Sequence, residues 1–260
     1  MSDKPPTINI REFPLHKMPW TSKIVIIGKP STGKSTLIKD IIATYADKFP
    51  VARIFSGSEE TNHFYEDLFP SIFIETEYED EKLEDFEKRQ KLAMRDKKYN
   101  VNPNMNPNAL LILDDCSDDP KLLNRPIVQR AYKNGRHWSM MFIMALQYGL
   151  DIRPNIRSNI DYIFIFRENN QNSLKKIWEN YGGIVGSFND FCDVMNQITG
   201  DYTALVINNR TQSNSPEDCV FFYKARYPIN INKQDICCKE YHKWNEIRYN
   251  KNYMFEMMEN

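Results

Sequence analysis

The sequence predicts an α/β domain: a central, mostly parallel sheet flanked by helices, with antiparallel strands added late in the chain. Three observations predict it. Short, continuous apolar runs such as Ile24-Val25-Ile26-Ile27 and Leu110-Leu111-Ile112-Leu113 suit strands buried on both faces of a parallel sheet. Stretches with apolar residues at helical spacing lie between such runs, and strands alternating with helices imply parallel pairing. A glycine-rich turn, Gly28 to Ser35, joins the first buried strand to the first helix.

Met1 to Thr21 reads as a lead-in arm with prolines at 5, 6, 14 and 19. After the strand at 24–27 and its turn, Leu37, Ile38, Ile41, Ile42 and Tyr45 recur with a helical period, predicting a helix over 35–45. Strands are expected at 51–55 and 71–74. Residues 75–98 are dense in charge, acids first and bases second, which matches a helix macrodipole and predicts a solvated helix over 80–97. The segment NVNPNMNPN at 100–108 is a loop, because proline and asparagine favour turns. A strand over 109–113 ends in Asp114-Asp115. Then come a helix over 121–133, a strand over 139–146 ending in Gln147, a strand over 161–166, and helices over 173–181 and 188–198. Residues 203–207 and 219–223 predict a hairpin around a polar loop at 208–218. The tail from Ile229 is polar and aromatic. The expected organisation is an arm at 1–21, one domain at 22–228 and an extension at 229–260.

Composition limits the functional classes. The 260 residues carry 41% hydrophobic side chains, enough for a real core, and 34 Lys plus Arg against 35 Asp plus Glu, a formal charge of −1. A uniformly basic surface is excluded, so any nucleic-acid contact comes from a local patch. Cys116, Cys192, Cys219, Cys237 and Cys238 fit neither a disulfide framework nor paired zinc ligands and read as reduced thiols. Cys237-Cys238 with His242 lacks the second ligand pair that a tetrahedral metal site needs. No signal-peptide pattern opens the sequence, and no apolar run approaches the ~20 residues that span a bilayer. A soluble, intracellular protein is expected.

The turn G-K-P-S-T-G-K-S, Gly28 to Ser35, fits G-x-x-x-x-G-K-[ST] and lies between a buried strand and a helix, where that motif works. Its residues Gly28, Lys29, Pro30, Ser31, Thr32 and Gly33 are expected to wrap a triphosphate tail, with the backbone N–H groups that the loop offers pointing at the phosphate oxygens, helped by the helix N-terminus. Lys34 then reaches the β- and γ-phosphates, the Ser35 hydroxyl ligates Mg²⁺, and Thr36 follows at the mouth. The expected cofactors are ATP and Mg²⁺. An acid at the end of a central strand reaches the metal shell, the role expected of Asp114. Asp115 is expected to orient and deprotonate an attacking water. Gln147, at the tip of the strand beside the acids, is expected to sense the γ-phosphate or hold that water.

Together these segments resemble the genome-packaging ATPases of nucleocytoplasmic large DNA viruses, the poxvirus type, within the FtsK-like and HerA-like class of DNA-pumping ATPases. The resemblance covers residues 13 to 227. It rests on IVIIGKPSTGKSTLI at 24–38, LLILDD at 110–115, GRHWSMMFIMALQ at 135–147, and the stretch with Arg157, Asn159 and DYIFIFR at 161–167. It implies a RecA-like P-loop NTPase core working as a homo-oligomeric ring, a hexamer, that drives double-stranded DNA into a preformed capsid without reading its sequence. Capsid or portal proteins are the implied partners, and the host cytoplasm, the viral factory and the virion are the implied locations. It also implies an arginine given to a neighbour's site, for which Arg157 and Arg167 are the candidates and Arg153 the third. Arg136 and His137 match the family pattern with an open role, at the interface, at the DNA or as structural residues. Lys121, Arg125, Arg130 and Lys133 fit a DNA-lined pore or a basic solvated helix alike. The wider class more often carries Asp-Glu at the strand end, so the shorter Asp115 must hold its carboxylate nearer the water.

Two other readings compete. A P-loop kinase for a nucleotide or small metabolite needs an arginine-rich lid and an acceptor, and no clear lid is visible; no soluble small-molecule acceptor is expected. A slow nucleotide switch has no use for both Asp115 and Gln147.

Overall fold

A computed structural model describes residues 9–116, 121–148 and 154–248. Nine strands among them form one sheet: β1 (Arg11–Glu12), β2 (Lys23–Ile27), β3 (Val51–Ser56), β4 (Ile74–Glu75), β5 (Ala109–Asp114), β6 (Met140–Leu146), β7 (Tyr162–Ile165), β8 (Thr203–Asn208) and β9 (Val220–Lys224). Their order is β1-β9-β8-β7-β2-β6-β5-β3-β4. β2 lies in the centre, parallel to β6 on one side and to β7 on the other. The sheet stays parallel out to β4, whereas β8 runs antiparallel to both β7 and β9. The predicted class, parallel first and antiparallel late, is the observed one.

Helices cover the sheet: α1 (Lys34–Thr44), α2 (Glu59–Asn62), α3 (Asp80–Lys98), α4 (Pro126–Asn134), α5 (Pro154–Arg157), α6 (Gln171–Tyr181), α7 (Phe188–Ile198), α8 (Pro216–Cys219) and α9 (Lys239–Arg248). Ile24, Val25 and Ile26 of β2 and Leu110, Leu111 and Ile112 of β5 are fully buried, because helices close both faces of a parallel sheet. The charge gradient of α3 holds, with Asp80 and Glu81 in its first turn and Arg95, Lys97 and Lys98 in its last. Asn170 caps α6, and Ser187 with Asp190 forms a capping box on α7, each satisfying N–H groups that a helix start leaves without partners.

The structure departs from the sequence expectations at 71–74 and at 121–133, and it describes packing in the lead-in and tail segments, where no element was expected. The expected strand at 71–74 is a 3₁₀ turn, Ser71–Phe73, started by Pro70, and only Ile74–Glu75 pairs with β3. The expected helix over 121–133 is broken into a 3₁₀ turn, Leu122–Asn124, and α4. Pro126 is the cause: it has no N–H to donate, and it holds the preceding Arg125 extended at ψ 133°. In the lead-in segment, β1 pairs in parallel with β9, and Phe13, Leu15 and Met18 are buried in the core. In the tail, Ile236 and His242 are buried, and His242 Nε2 lies 2.7 Å from the Ile236 carbonyl. No disulfide, metal-type cluster of three His, Cys, Asp or Glu, or helix long and apolar enough to cross a membrane occurs among the described residues.

Candidate active site

In an open α/β sheet, ligands gather where the strand order reverses, beyond the carboxyl ends of the strands. Here the chain crosses from β2 to β3 and β4, works back through β5 to β6 on one flank of β2, and passes to β7 on its other flank, so the direction of winding changes at β2. The turn after β2 is tightly built. A Cβ on Gly28 would lie 2.6 Å from Thr32 Oγ1 and 2.9 Å from Phe166 Cβ, so only glycine fits. Ser31 and Gly33 take positive φ, 62° and 108°, a region costly for most side chains and open to glycine. Thr32 Oγ1 donates to the Lys29 carbonyl at 2.7 Å, and Lys29 Nζ forms an ion pair with Glu168 at 2.6 Å. Gly33 is the N-cap of α1, so the first N–H groups of that helix, which have no partner within it, face the cavity mouth.

Lys34 Nζ donates to the carbonyls of Gly28, at 2.5 Å, and Lys29, at 3.0 Å. Burial lowers its pKa, against the pull of Asp114 and Asp115. Asp114 ends β5 and Asp115 follows it, and the register brings Asp114 opposite Ala145 of β6. Gln147 follows β6 directly and donates through Nε2 to Asp115 Oδ1. Asp115 itself is in the left-handed region, φ 52°. A Cβ on the neighbouring Gly57 would sit 2.5 Å from the Asp115 carbonyl oxygen, so Gly57 is what lets this turn form.

Asp114 is 8% exposed, and burial is the main force raising its carboxyl pKa. The Tyr65 hydroxyl opposes this by donating to Asp114 Oδ2 at 2.8 Å. Tyr65 is fully buried and its own pKa is pushed up by burial first and by Asp114 next. The buried Glu59 holds it in place by accepting from the Tyr65 N–H at 2.8 Å and the Glu66 N–H at 2.7 Å. Beside the acids, burial raises the Cys116 thiol to about 12, which keeps it an uncharged neighbour.

These groups converge on one cavity of about 1000 Å³. Of the sequence-predicted residues, Pro30, Ser31, Gly33, Lys34, Ser35, Thr36, Asp114, Asp115 and Gln147 line it, whereas Gly28, Lys29 and Thr32 belong to the same loop but are not part of the lining. Motif spacing does not reveal Tyr65 and Glu59 behind the acids, or Ser58, Asn62, Asp201, Tyr202, Lys224 and Tyr227 in the lining. Their one sequence signal is Gly200 before Asp201, a turn cue.

The candidate arginines lie elsewhere. Arg157 closes α5, half-buried, and Arg167 is exposed just after β7, with Nε donating to Asn169 at 3.3 Å; neither lines the cavity. Arg153 lies outside the described residues. Arg136 forms an ion pair with the buried Asp161, which also accepts from the Lys23 N–H at 2.8 Å. Asp161 and Lys23 stand at the starts of β7 and β2, so this cluster occupies the end of the sheet opposite the phosphate loop. His137 is exposed there. Of the expected pore residues, Arg125 pairs with Asp80 at 3.1 Å and Arg130 with Glu87 at 3.1 Å, both on α3, while Lys121 and Lys133 are exposed.

The sequence model of the poxvirus A32 protein family matches residues 12–245. An uncharacterized protein of Invertebrate iridescent virus 6 is 43% identical over 233 residues, covering 89% of this chain and 88% of its own length. One from Acanthamoeba polyphaga mimivirus is 30% identical over 220 residues, 84% of this chain and 77% of its own. Among solved structures, the genome packaging NTPase of Sulfolobus turreted icosahedral virus 2, in complex with sulfate, has the same fold. Its TM-score is 0.56 at 20% identity, covering 80% of this chain and 98% of that one.

Proposed function

Because the chain belongs to the poxvirus A32 protein family, we propose that it is an ATP-hydrolysing motor that moves double-stranded DNA into a viral capsid. One observation carries the reading: Lys34, Asp114 and the Gln147–Asp115 pair converge on a single cavity at the head of α1. The donor set fits a magnesium-bound triphosphate. Backbone N–H groups and an ammonium suit phosphate oxygens, and the Ser35 hydroxyl with the Asp114 carboxylate offers the oxygen ligands a hard cation takes. The fold shared with the genome packaging NTPase of the archaeal virus is compatible with this reading.

In this reading the N–H groups of Lys29 and of Ser31 to Gly33 cradle the phosphates, Gly28 and Pro30, the latter without an N–H, shape the loop around them, and Lys34 leaves its two loop carbonyls for phosphate oxygens. Thr36 continues that contact beyond Ser35. The Ser35 hydroxyl and the Asp114 carboxylate would hold Mg²⁺, which would neutralise phosphate charge when bound. Asp115 takes the proton of the attacking water, and Gln147, already hydrogen-bonded to Asp115, orients both. Arg157 or Arg167 stabilises charge on the transferring phosphate of a neighbouring copy, which makes a homo-oligomeric ring the working form. Packaging places the motor at the viral factory with capsid or portal proteins, gripping phosphate backbone rather than base sequence.

The test is ATP turnover by the purified chain with and without double-stranded DNA, together with its mass in ATP. Stimulation by DNA and a ring-sized mass are expected. Phosphate transfer to a small acceptor, or turnover indifferent to DNA, overturns the motor.

A further inference from the structure

Part of the wall of the same cavity is made by Asp201, Tyr202, Lys224, Ala225 and Tyr227. Two strand ends build that wall. β8 and β9 are antiparallel with Thr203 opposite Lys224, so the residues just before β8 and just after β9 leave the sheet side by side. Lys224 Nζ donates to Asp201 and ties the two ends together.

The backbone there is unusual. Asp201 and Tyr202 both adopt positive φ, 48° and 59°, a conformation unfavourable for side chains other than glycine and rarely found in succession. Its result is that Tyr202 lies against the phosphate loop: its Cβ is 3.4 Å from the point a Cβ on Gly33 would occupy. Tyr202 is 64% exposed and Tyr227 87% exposed, so two aromatic rings line a cavity instead of joining the core. Strained backbone that persists in a fold clusters at ligand sites.

We propose that Tyr202 and Tyr227 form the nucleobase platform of this site, holding the ring of the nucleotide whose phosphates meet Lys34. The inference rests on the nucleotide reading of the phosphate loop. Tyr202 and Tyr227 line the same cavity as Lys34, Ser35 and Thr36, and Tyr202 lies beside Gly33 of the phosphate loop. A nucleotide whose phosphates meet Lys34 therefore has aromatic surface within the same cavity for its base. Stacking engages the face every base has, so the platform secures the ring and leaves its edge unread.

The experiment compares two probes bound by the full-length chain in Mg²⁺, measured by calorimetry: a non-hydrolysable ATP analogue and inorganic tripolyphosphate. Tyr202→Ala is expected to weaken the analogue about tenfold, within the range of a lost base–aromatic stack, while tripolyphosphate binds as to the wild type. Tyr227→Ala is expected to be selective in the same sense, and Tyr202→Phe to keep wild-type affinity for both. Unchanged tripolyphosphate binding also certifies that each variant is folded. Equal loss of both probes, or no loss of the analogue, overturns the platform. If the wild type binds neither probe, the nucleotide reading beneath it falls instead.

Discussion

Tyr65 is the residue on which the buried acid depends. Its hydroxyl donates to Asp114, and a hydrogen bond to a charged group contributes about 1.5–3 kcal/mol. Tyr65→Phe keeps the ring and removes the donor. We expect it to lower ATP turnover about tenfold, to retain nucleotide binding, and to lower the thermal midpoint; steady-state kinetics and a melting curve check this. Lys34→Ala is expected to abolish nucleotide binding. Asp115→Asn is expected to leave binding intact and cut turnover by ~100-fold or more, the scale of general-base catalysis. Equal turnover by wild type and Asp115→Asn in a coupled assay removes that role from Asp115. The sequence discloses these residues unequally. Gly28, Gly33, Lys34 and Ser35 lie within one local motif whose spacing is set by the backbone geometry of a single loop. Tyr65 comes from a segment without periodic signal and meets Asp114 across 49 positions of chain, a pairing only the folded sheet creates.

At the level of elements, α1 is bound to the far strands as well as to its own loop. Asp40 of α1 is fully buried. It accepts from the Tyr223 hydroxyl at 2.7 Å, from the Arg226 N–H at 2.9 Å and from Arg226 Nε at 2.6 Å. The helix that carries Lys34 is thus fastened to the strand end that carries Tyr227. Asp40→Ala leaves the buried Tyr223 hydroxyl without its acceptor, costing about 1–3 kcal/mol, and takes the acceptor from the part-buried Arg226 N–H as well. We expect a loss of roughly 3 kcal/mol in urea unfolding and weaker nucleotide binding; unchanged stability would show that the clamp is idle. The elements with strong patterns, β2, α1, α3, β5 and β6, are legible because burial on two faces or a charge gradient leaves a local record. The break before α4 escapes the sequence reading although Pro126 is in view, because apolar periodicity on both sides outweighs one missing N–H. The strand expected at 71–74 fails because an apolar run of that length does not distinguish a strand from a turn packed on the core.

For the whole molecule, the arginine geometry makes an assembly prediction. Neither Arg157 nor Arg167 lines the cavity of its own chain, as a residue acting on a neighbour requires. If it acts there, the responsible Arg→Ala variant is expected to bind nucleotide normally and lose about 10³-fold in turnover. Titrating Asp115→Asn chains into wild type is then expected to reduce turnover per wild-type chain; strict proportionality to the wild-type fraction would mean that copies work alone. The outer limits of the sheet bear on how copies meet. It ends at β1, Arg11–Glu12, on one side and at β4, Ile74–Glu75, on the other. Each terminal strand is two residues long and carries a charged side chain, and so short and charged a border offers little for another strand to zip onto. If copies assemble as proposed, such borders direct them to join through helices, loops and side chains, contacts that can slide and re-form through a cycle of turnover where a continuous β-ladder would lock them in one register.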